Sequence, residues 1–133
     1  MNLLLIGYCH LADGFLYASN SLKNKNYNIF LFPYWNYILD NKNSSEIVND
    51  FQKSIKDNNI NICLWWNNSI KYDIFTKMYN KNLINILYNW DPCLLDYDKY
   101  GCNFWKDIVE LKKNIYPYMN IIFTCFQKEM DYF

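Results

Sequence analysis

Residues 3–7, Leu-Leu-Leu-Ile-Gly, form a run that is apolar at every position up to its closing glycine. Because successive side chains of a strand point to opposite faces of a sheet, such a run fits a strand that is buried on both faces. Four further short apolar runs lie at Ile29–Phe32, Ile62–Trp66, Ile84–Tyr88 and Ile121–Thr124. The sequence therefore predicts an α/β fold, in which about five strands form an open parallel sheet with helices on both faces.

Segments with helical spacing separate these runs. Apolar residues recur every three or four positions in Phe15–Leu22, Ile47–Ile55, Ile70–Met78 and Phe104–Tyr116. We expect Asn43 or Ser44 to cap the second helix, and Asn68 or Ser69 to cap the third. Pro33 is expected to end the second strand, because proline cannot donate a hydrogen bond to a sheet ladder.

The composition is that of one globular domain. A chain of 133 residues, 52% hydrophobic and 20% charged, is long enough to bury its own core. The formal net charge is zero, and all 13 basic residues are Lys. Because Arg is the usual bidentate ligand of phosphate and guanine, these features argue against nucleic acid as a partner.

The cysteines and the hydropathy indicate the cellular setting. The five cysteines form no C-x-x-C pair, which argues against both a disulfide framework and a zinc site. We therefore expect reduced thiols and a cytoplasmic, reducing environment. The first apolar run lacks the basic flank of a signal peptide, and no window reaches the roughly 18 apolar residues of a membrane span.

Aromatic and amide side chains gather at the predicted carboxyl ends of the strands, where open parallel sheets bind their ligands. The substrate-binding candidates at these positions are Tyr8, Trp35, Trp66, Asn67, Asn89 and Trp90. Aromatic rings stack on the C–H faces of sugars, and amides both donate to and accept from hydroxyls. The alternative is that the rings pack as core under the helices. We expect this of one of Trp65 and Trp66, because adjacent strand residues point to opposite faces.

The order of the elements resembles the N-terminal, acceptor-side half of a GT-B fold glycosyltransferase. The similarity lies in a first strand ending at Gly7, in the strand Asn61–Trp66, in the strand-end pair Asp91-Pro92, and in the strand and crossover Asn120–Glu129. The resemblance implies that residues 1–133 are a single Rossmann-like domain without the C-terminal donor domain of these enzymes. The sequence departs from the family in having no glycine-rich loop after the first strand.

His10 and Asp91 are the candidate catalytic residues. His10 follows the first strand and can take a proton from an acceptor hydroxyl near neutral pH, and in some GT-B families the base occupies this loop. The alternative is a histidine that caps the first helix or binds a backbone group. Asp91 can act as the base or orient a sugar hydroxyl, or it can initiate a turn before Pro92. Asp13 can orient His10, or it can be a first-turn helix charge.

The resemblance implies transfer of a sugar from a nucleotide-sugar donor to a hydroxyl of a glycan, protein or lipid acceptor, without a metal or other cofactor. The donor would bind only through the missing second domain, so the isolated domain is expected to be inactive. An aromatic cleft without its partner domain is also expected to self-associate, as a homodimer. The alternative, from a different class, is a non-catalytic, flavodoxin-like binding or scaffold module.

Overall fold

The computed structural model describes residues 1–7, 26–66, 70–89 and 114–124. Five strands form one sheet: β1 (Asn2–Ile6), β2 (Asn28–Phe32), β3 (Ile62–Trp66), β4 (Ile84–Asn89) and β5 (Ile121–Thr124). The strand order is β2-β1-β3-β4-β5, and every neighbouring pair is parallel. The predicted open parallel sheet is therefore confirmed.

Helical segments occupy the described connections between the strands. They are α1 (Tyr34–Leu39), α2 (Ser44–Asp57), α3 (Tyr72–Met78) and a 3-10 turn at Tyr116–Tyr118. Within residues 1–7, 26–66, 70–89 and 114–124, no helix has both the length and the apolar character needed to cross a membrane.

Helix α2 begins where the sequence predicts it. The Asn43 side-chain oxygen accepts a hydrogen bond from the Glu46 N–H at 3.0 Å, and the Glu46 carboxylate accepts one from the Asn43 N–H at 2.9 Å. This reciprocal capping box satisfies two backbone donors that the helix itself leaves unpaired. Of the two expected caps, Asn43 is therefore the one used. Ile47 and Phe51, one turn apart, are the buried residues of the helix.

Helices α1 and α3 differ from the expectation. Pro33 follows the last residue of β2 as predicted, but residues 34–39 are helical, in a stretch for which the sequence pattern predicts no element. Tyr34, Tyr37 and Ile38 recur at helical spacing and pack in the core, so their burial favours the helix. Helix α3 begins at Tyr72 with Lys71 at the N-cap and no side-chain cap. The prediction that Asn68 or Ser69 would cap this helix is therefore wrong.

The sheet is apolar on both faces. The first face carries Leu4, Ile6, Cys63, Trp65 and Leu87, and it packs against residues from all three described helices. The second face carries a smaller buried cluster of Leu5, Leu64 and Trp66, with Leu3, Leu31, Ile86 and Tyr88 packed around it. Trp65 and Trp66 thus point to opposite faces, as expected from the alternation of a strand.

Candidate functional site at the carboxyl edge of the sheet

The carboxyl ends of all five strands lie at one edge of the sheet, which is called the carboxyl edge below. The chain runs from β1 outward to β2 and then returns to β3 on the other side of β1. The strand order therefore reverses between β1 and β3. At such a switch point the two connections leave toward opposite faces, and a crevice opens between them. Gly7, after β1, and Trp66, at the end of β3, are the described residues at the ends of the two strands that flank this switch point.

Gly7 lies directly against Trp66. A Cβ atom added to Gly7 would lie 2.9 Å from the Trp66 Cβ, closer than real Cβ atoms come to a neighbour, and 3.1 Å from the Trp66 carbonyl oxygen, which is an unusually tight contact. The φ angle of Gly7 is 157°, which residues with side chains rarely adopt. Only a glycine therefore allows the end of β1 to approach β3 this closely.

Three aromatic residues cross the second face at this edge, and we call them the aromatic row. Trp66 is in register with Tyr88, and Tyr88 is in register with Phe123. The rings of Trp66 and Tyr88 stack with centroids 4.6 Å apart and planes 24° apart, which is a favourable offset geometry. Trp66 is only 8% exposed whereas Phe123 is 52% exposed. The row therefore extends from a covered ring at the switch point to an open ring on the edge strand.

Tyr34 packs in the core on the first face of the sheet, just beyond the carboxyl end of β2. It is the first residue of α1 and is buried in the core. The pKa of its hydroxyl is raised, mainly by burial and to a smaller extent by the negative charge of the Asp73 carboxylate. The backbone of Lys71 lowers this pKa, but by less than burial raises it. The hydroxyl therefore stays protonated at neutral pH. Its proximity to Lys71 also means that the segments following β2 and β3 meet here.

The described residues include only part of the predicted site. Trp35 is half-buried in α1, Trp66 is packed as described above, and Asn89 is the last residue of β4. The other candidates lie outside the described residues, and their roles stay predictions: Tyr8, His10, Asn67, Trp90 and Asp91.

The sheet geometry sets the distance between the two strand ends that precede the catalytic candidates His10 and Asp91. Neighbouring strands are about 4.8 Å apart, so the ends of β1 and β4, which flank β3, are separated by about 10 Å. His10 comes four residues after the end of β1, and Asp91 comes two residues after the end of β4. The two strands that precede these residues therefore end at the same edge, with one strand between them.

Two aromatic residues at this edge were missed at the level of sequence. Tyr88 precedes the last residue of β4 and is in register with Trp66, so the two side chains lie on the same face of the sheet. This pairing depends on β3 and β4 being neighbours, which the sequence does not show. The burial of Tyr34 could not be predicted, because residues 34–39 lack a capping signal at their start and no helix is predicted there. Both positions depend on contacts between segments that are distant in the sequence.

At the opposite, amino edge of the sheet, Asn85 is buried, and its whole side chain is hydrogen-bonded. The Asn85 Oδ1 accepts from the Trp65 indole N–H at 3.0 Å, and its Nδ2 donates to the carbonyl oxygens of Asn80 and Leu83, each at 3.0 Å. The Asn85 backbone N–H donates to the Asn120 side chain at 2.7 Å. The side chain and backbone of Asn85 together link β4 to β3 and to Asn120, the residue before β5.

Asn2 has the same role on the other side of the amino edge. Its Nδ2 donates to the Asn58 carbonyl oxygen at 2.6 Å, and its Oδ1 accepts from the Asn28 side chain at 2.9 Å. Its backbone N–H donates to the Asn61 side chain at 3.0 Å. The side-chain amides of Asn2 and Asn85 are therefore committed to the protein's own backbone and neighbouring side chains, and they are not available to a ligand.

The described residues offer little chemistry for a metal or a thiol nucleophile. Among residues 1–7, 26–66, 70–89 and 114–124, no group of three or more His, Cys, Asp or Glu could hold a metal ion. Cys63 is a free, buried thiol, and burial raises its pKa to about 12. A thiol with such a pKa is protonated at neutral pH and is a poor nucleophile.

Comparison of the chain with protein-family models, with curated proteins and with solved structures finds no match.

Proposed function

We propose that this chain is the acceptor-binding half of a glycosyltransferase, which moves a sugar from a nucleotide-sugar donor to a hydroxyl of a glycan, protein or lipid acceptor. The observation that supports the proposal most is the parallel direction of all five strands. Because of it, the segments that follow β1, β2, β3 and β4 all leave the sheet at one edge. These are the segments in which the sequence concentrates aromatic and amide side chains, around a switch point where such sheets bind ligands.

The chemistry of the proposal assigns a role to each candidate. His10 or Asp91 takes the proton of the acceptor hydroxyl as its oxygen attacks the anomeric carbon of the donor sugar. The bond from that carbon to the donor phosphate breaks, and the nucleoside diphosphate leaves. The donor binds to a second domain. Trp35 and Trp90 offer apolar ring faces to the acceptor, while Tyr8, Asn67 and Asn89 bind its hydroxyls. Trp66 contributes mainly by shaping the crevice, because most of its ring is covered.

The proposed setting is a reducing compartment of the cell, which the free thiol of Cys63 supports. We also propose that the aromatic carboxyl edge mediates self-association when no partner domain covers it.

Carbohydrate binding by the full chain tests the proposal directly. We expect a panel of oligosaccharides, titrated by calorimetry, to include at least one ligand with a dissociation constant in the millimolar range or better. Trp35→Ala should weaken that ligand by about tenfold, since an aromatic contact of this kind is worth about 1.4 kcal/mol. Tyr27→Ala is the matched control, because Tyr27 is an exposed aromatic residue that precedes β2 at the opposite edge.

Two further variants test the part of the site outside the described residues. Trp90→Ala and Asp91→Asn should each weaken binding of the same oligosaccharide. Unchanged binding in Trp35→Ala, Trp90→Ala and Asp91→Asn would contradict the carboxyl edge as the acceptor site, even if the chain binds sugars elsewhere.

One observation favours a second candidate, a non-catalytic flavodoxin-like binding module. The strand order β2-β1-β3-β4-β5 is that of flavodoxin-like sheets, which bind their ligand at the switch point between β1 and β3. Titration with flavin mononucleotide, followed by flavin fluorescence, separates the two candidates. Flavin binding that oligosaccharides do not compete with would favour the module over the glycosyltransferase half.

A further inference from the structure

Two tyrosine hydroxyls meet where α3 begins. Tyr72 is the first residue of α3, and Tyr118 is the last residue of the 3-10 turn that precedes β5. Their hydroxyl oxygens lie 2.9 Å apart and form a hydrogen bond in which either can be the donor. The ring centroids are 6.4 Å apart, with an angle of 61° between the planes. Two residues that are 46 positions apart in the sequence thus bring their phenol groups into direct contact, and we call them the tyrosine pair.

The surroundings hold Tyr118 in place and leave Tyr72 accessible. The Tyr118 ring is half-buried and packs edge to face with the rings of Phe75 and Tyr79, with centroids 5.5 and 5.0 Å away. Such contacts are favourable because the positive edge of one ring meets the negative face of the other. Tyr72, by contrast, is 39% exposed. A dissolved oxidant can therefore reach one phenol while the core holds its partner within hydrogen-bond distance.

We infer that the tyrosine pair is a site of oxidative modification, at which a peroxide-derived one-electron oxidant joins Tyr72 to Tyr118 as dityrosine. The oxidant takes one electron from each phenol, and each hydroxyl releases its proton to water. The two phenoxyl radicals then couple through a new bond between ring carbons that are ortho to the hydroxyls. The hydrogen on each of these carbons moves to the phenol oxygen and restores the hydroxyl. The net loss is two electrons and two protons, which hydrogen peroxide accepts as it is reduced to two molecules of water.

The geometry favours coupling within this pair. In dityrosine the two hydroxyls flank the new carbon–carbon bond and face each other within hydrogen-bond distance, and the contact of 2.9 Å already gives them this arrangement. The rings must still approach from 6.4 Å, and exposure at a helix end gives Tyr72 the freedom to do so. Holding both reactants together makes the coupling intramolecular. Thiols do not reduce a carbon–carbon bond, so the link persists in a reducing compartment. The inference does not depend on the proposed function.

Treatment of the full chain, at low protein concentration, with a haem peroxidase and hydrogen peroxide tests the inference. We expect dityrosine fluorescence from a chain that remains a monomer on size exclusion and whose mass is lower by two hydrogen atoms. Mass spectrometry of its peptides should find the link between Tyr72 and Tyr118. A link from Tyr118 to Tyr79 would overturn the inference, because the hydroxyl contact would then not direct the coupling. Links found only between chains, or no link at all, would also overturn it.

Phenylalanine variants give an independent readout. Tyr72→Phe and Tyr118→Phe each keep the ring and its packing but remove the phenol, so both are expected to fold. Each should lower the yield of dityrosine within one chain by about tenfold or more, because the paired reactant is gone. Tyr27→Phe is the matched control, since Tyr27 is 51% exposed and thus more accessible to the oxidant than Tyr72; it should leave the yield unchanged. A yield that persists in Tyr72→Phe, or that falls equally in Tyr27→Phe, would contradict the assignment.

Discussion

The two edges of the sheet use similar residues for opposite purposes. At the amino edge, Asn2 and Asn85 donate to and accept from the chain's own backbone and neighbouring side chains, so that the starts of the strands are tied together. At the carboxyl edge, Gly7 has no side chain, and the stack of Trp66 on Tyr88 leads to the exposed ring of Phe123. Asparagine side chains stabilise one edge, whereas shape and aromatic surface characterise the other.

This difference shows that residue type alone does not identify a binding site. The chain contains many asparagines, and the side chains of Asn2 and Asn85 at the amino edge are hydrogen-bonded within the protein. An amide whose donors and acceptors are satisfied within the protein gains little from a ligand and loses stability if it is released. Only the carboxyl edge combines a switch point with aromatic surface that the described residues leave open, and it is therefore the better candidate for binding.

The largest effect is expected from Asn85→Leu at the amino edge. The substitution keeps the number and branching of the side-chain heavy atoms, but it leaves the Trp65 indole N–H without its acceptor and removes the donor to the Asn80 and Leu83 carbonyl oxygens. Because each buried unsatisfied polar group costs about 1–3 kcal/mol, we expect the free energy of unfolding to fall by about 3 kcal/mol in urea denaturation. Asn82→Leu, the same change at an exposed position nearby, should cost less than about 0.5 kcal/mol. A similar loss in both variants would show that the amide network is not what stabilises this edge.

A smaller effect is expected from Gly7→Ala at the carboxyl edge. The new methyl group would meet the Trp66 Cβ at 2.9 Å, and overpacking together with the unfavourable φ should cost about 2–3 kcal/mol. Asn59→Ala is the control, since Asn59 is exposed and has a positive φ of 48°. It should cost only about 1 kcal/mol, the price of the backbone conformation. If urea denaturation gives equal losses, the contact with Trp66 does not limit space at the switch point.

The smallest effect is a pH dependence of the free energy of unfolding that comes from Cys63. This residue lies on β3, in register with Asn85 on β4. Burial raises its thiol pKa from 9.0 to about 12, so the folded state holds the proton more tightly than the unfolded state. The stabilisation is complete below pH 9 and is lost as the pH rises toward 12. Between pH 8 and pH 10, Cys63 should account for a loss of about 1.4 kcal/mol in the free energy of unfolding.

The comparison of wild type with Cys63→Ala isolates this contribution, because the other titrating groups are common to both proteins. We expect the variant to lose about 1.4 kcal/mol less than wild type over the same pH interval. An identical pH dependence would mean that water reaches this part of the sheet and that the amino edge is less sealed than the amide network indicates.

Much of the fold could be predicted from the sequence because the relevant signals are local. The apolar runs predicted all five strands, since a strand buried on both faces needs apolar residues at consecutive positions. Asn43 followed by Glu46 predicted the start of α2, because both partners of the capping box lie within four residues. The opposite orientations of Trp65 and Trp66 followed from the alternation of a strand.

The candidate site could be predicted only in outline. The strand ends indicated the carboxyl edge, and the parallel sheet agrees with that choice of edge. The burial of Trp66, its stacking on Tyr88 and its contact with Gly7 could not be predicted, because each joins residues from different strands. Helix α1 could not be predicted either, because its six residues are stabilised by packing against the core, which involves distant segments, and not by a local cap.

The sequence by itself determined that this chain forms a parallel α/β sheet, because hydrophobic periodicity and capping act between residues that are close along the chain. The tertiary structure alone decided the strand order, and with it the position of the switch point between β1 and β3. It also decided which asparagines stabilise the amino edge and which aromatic rings are covered at the carboxyl edge. These outcomes depend on hydrogen bonds and contacts between distant segments, which exist only once the strands have paired.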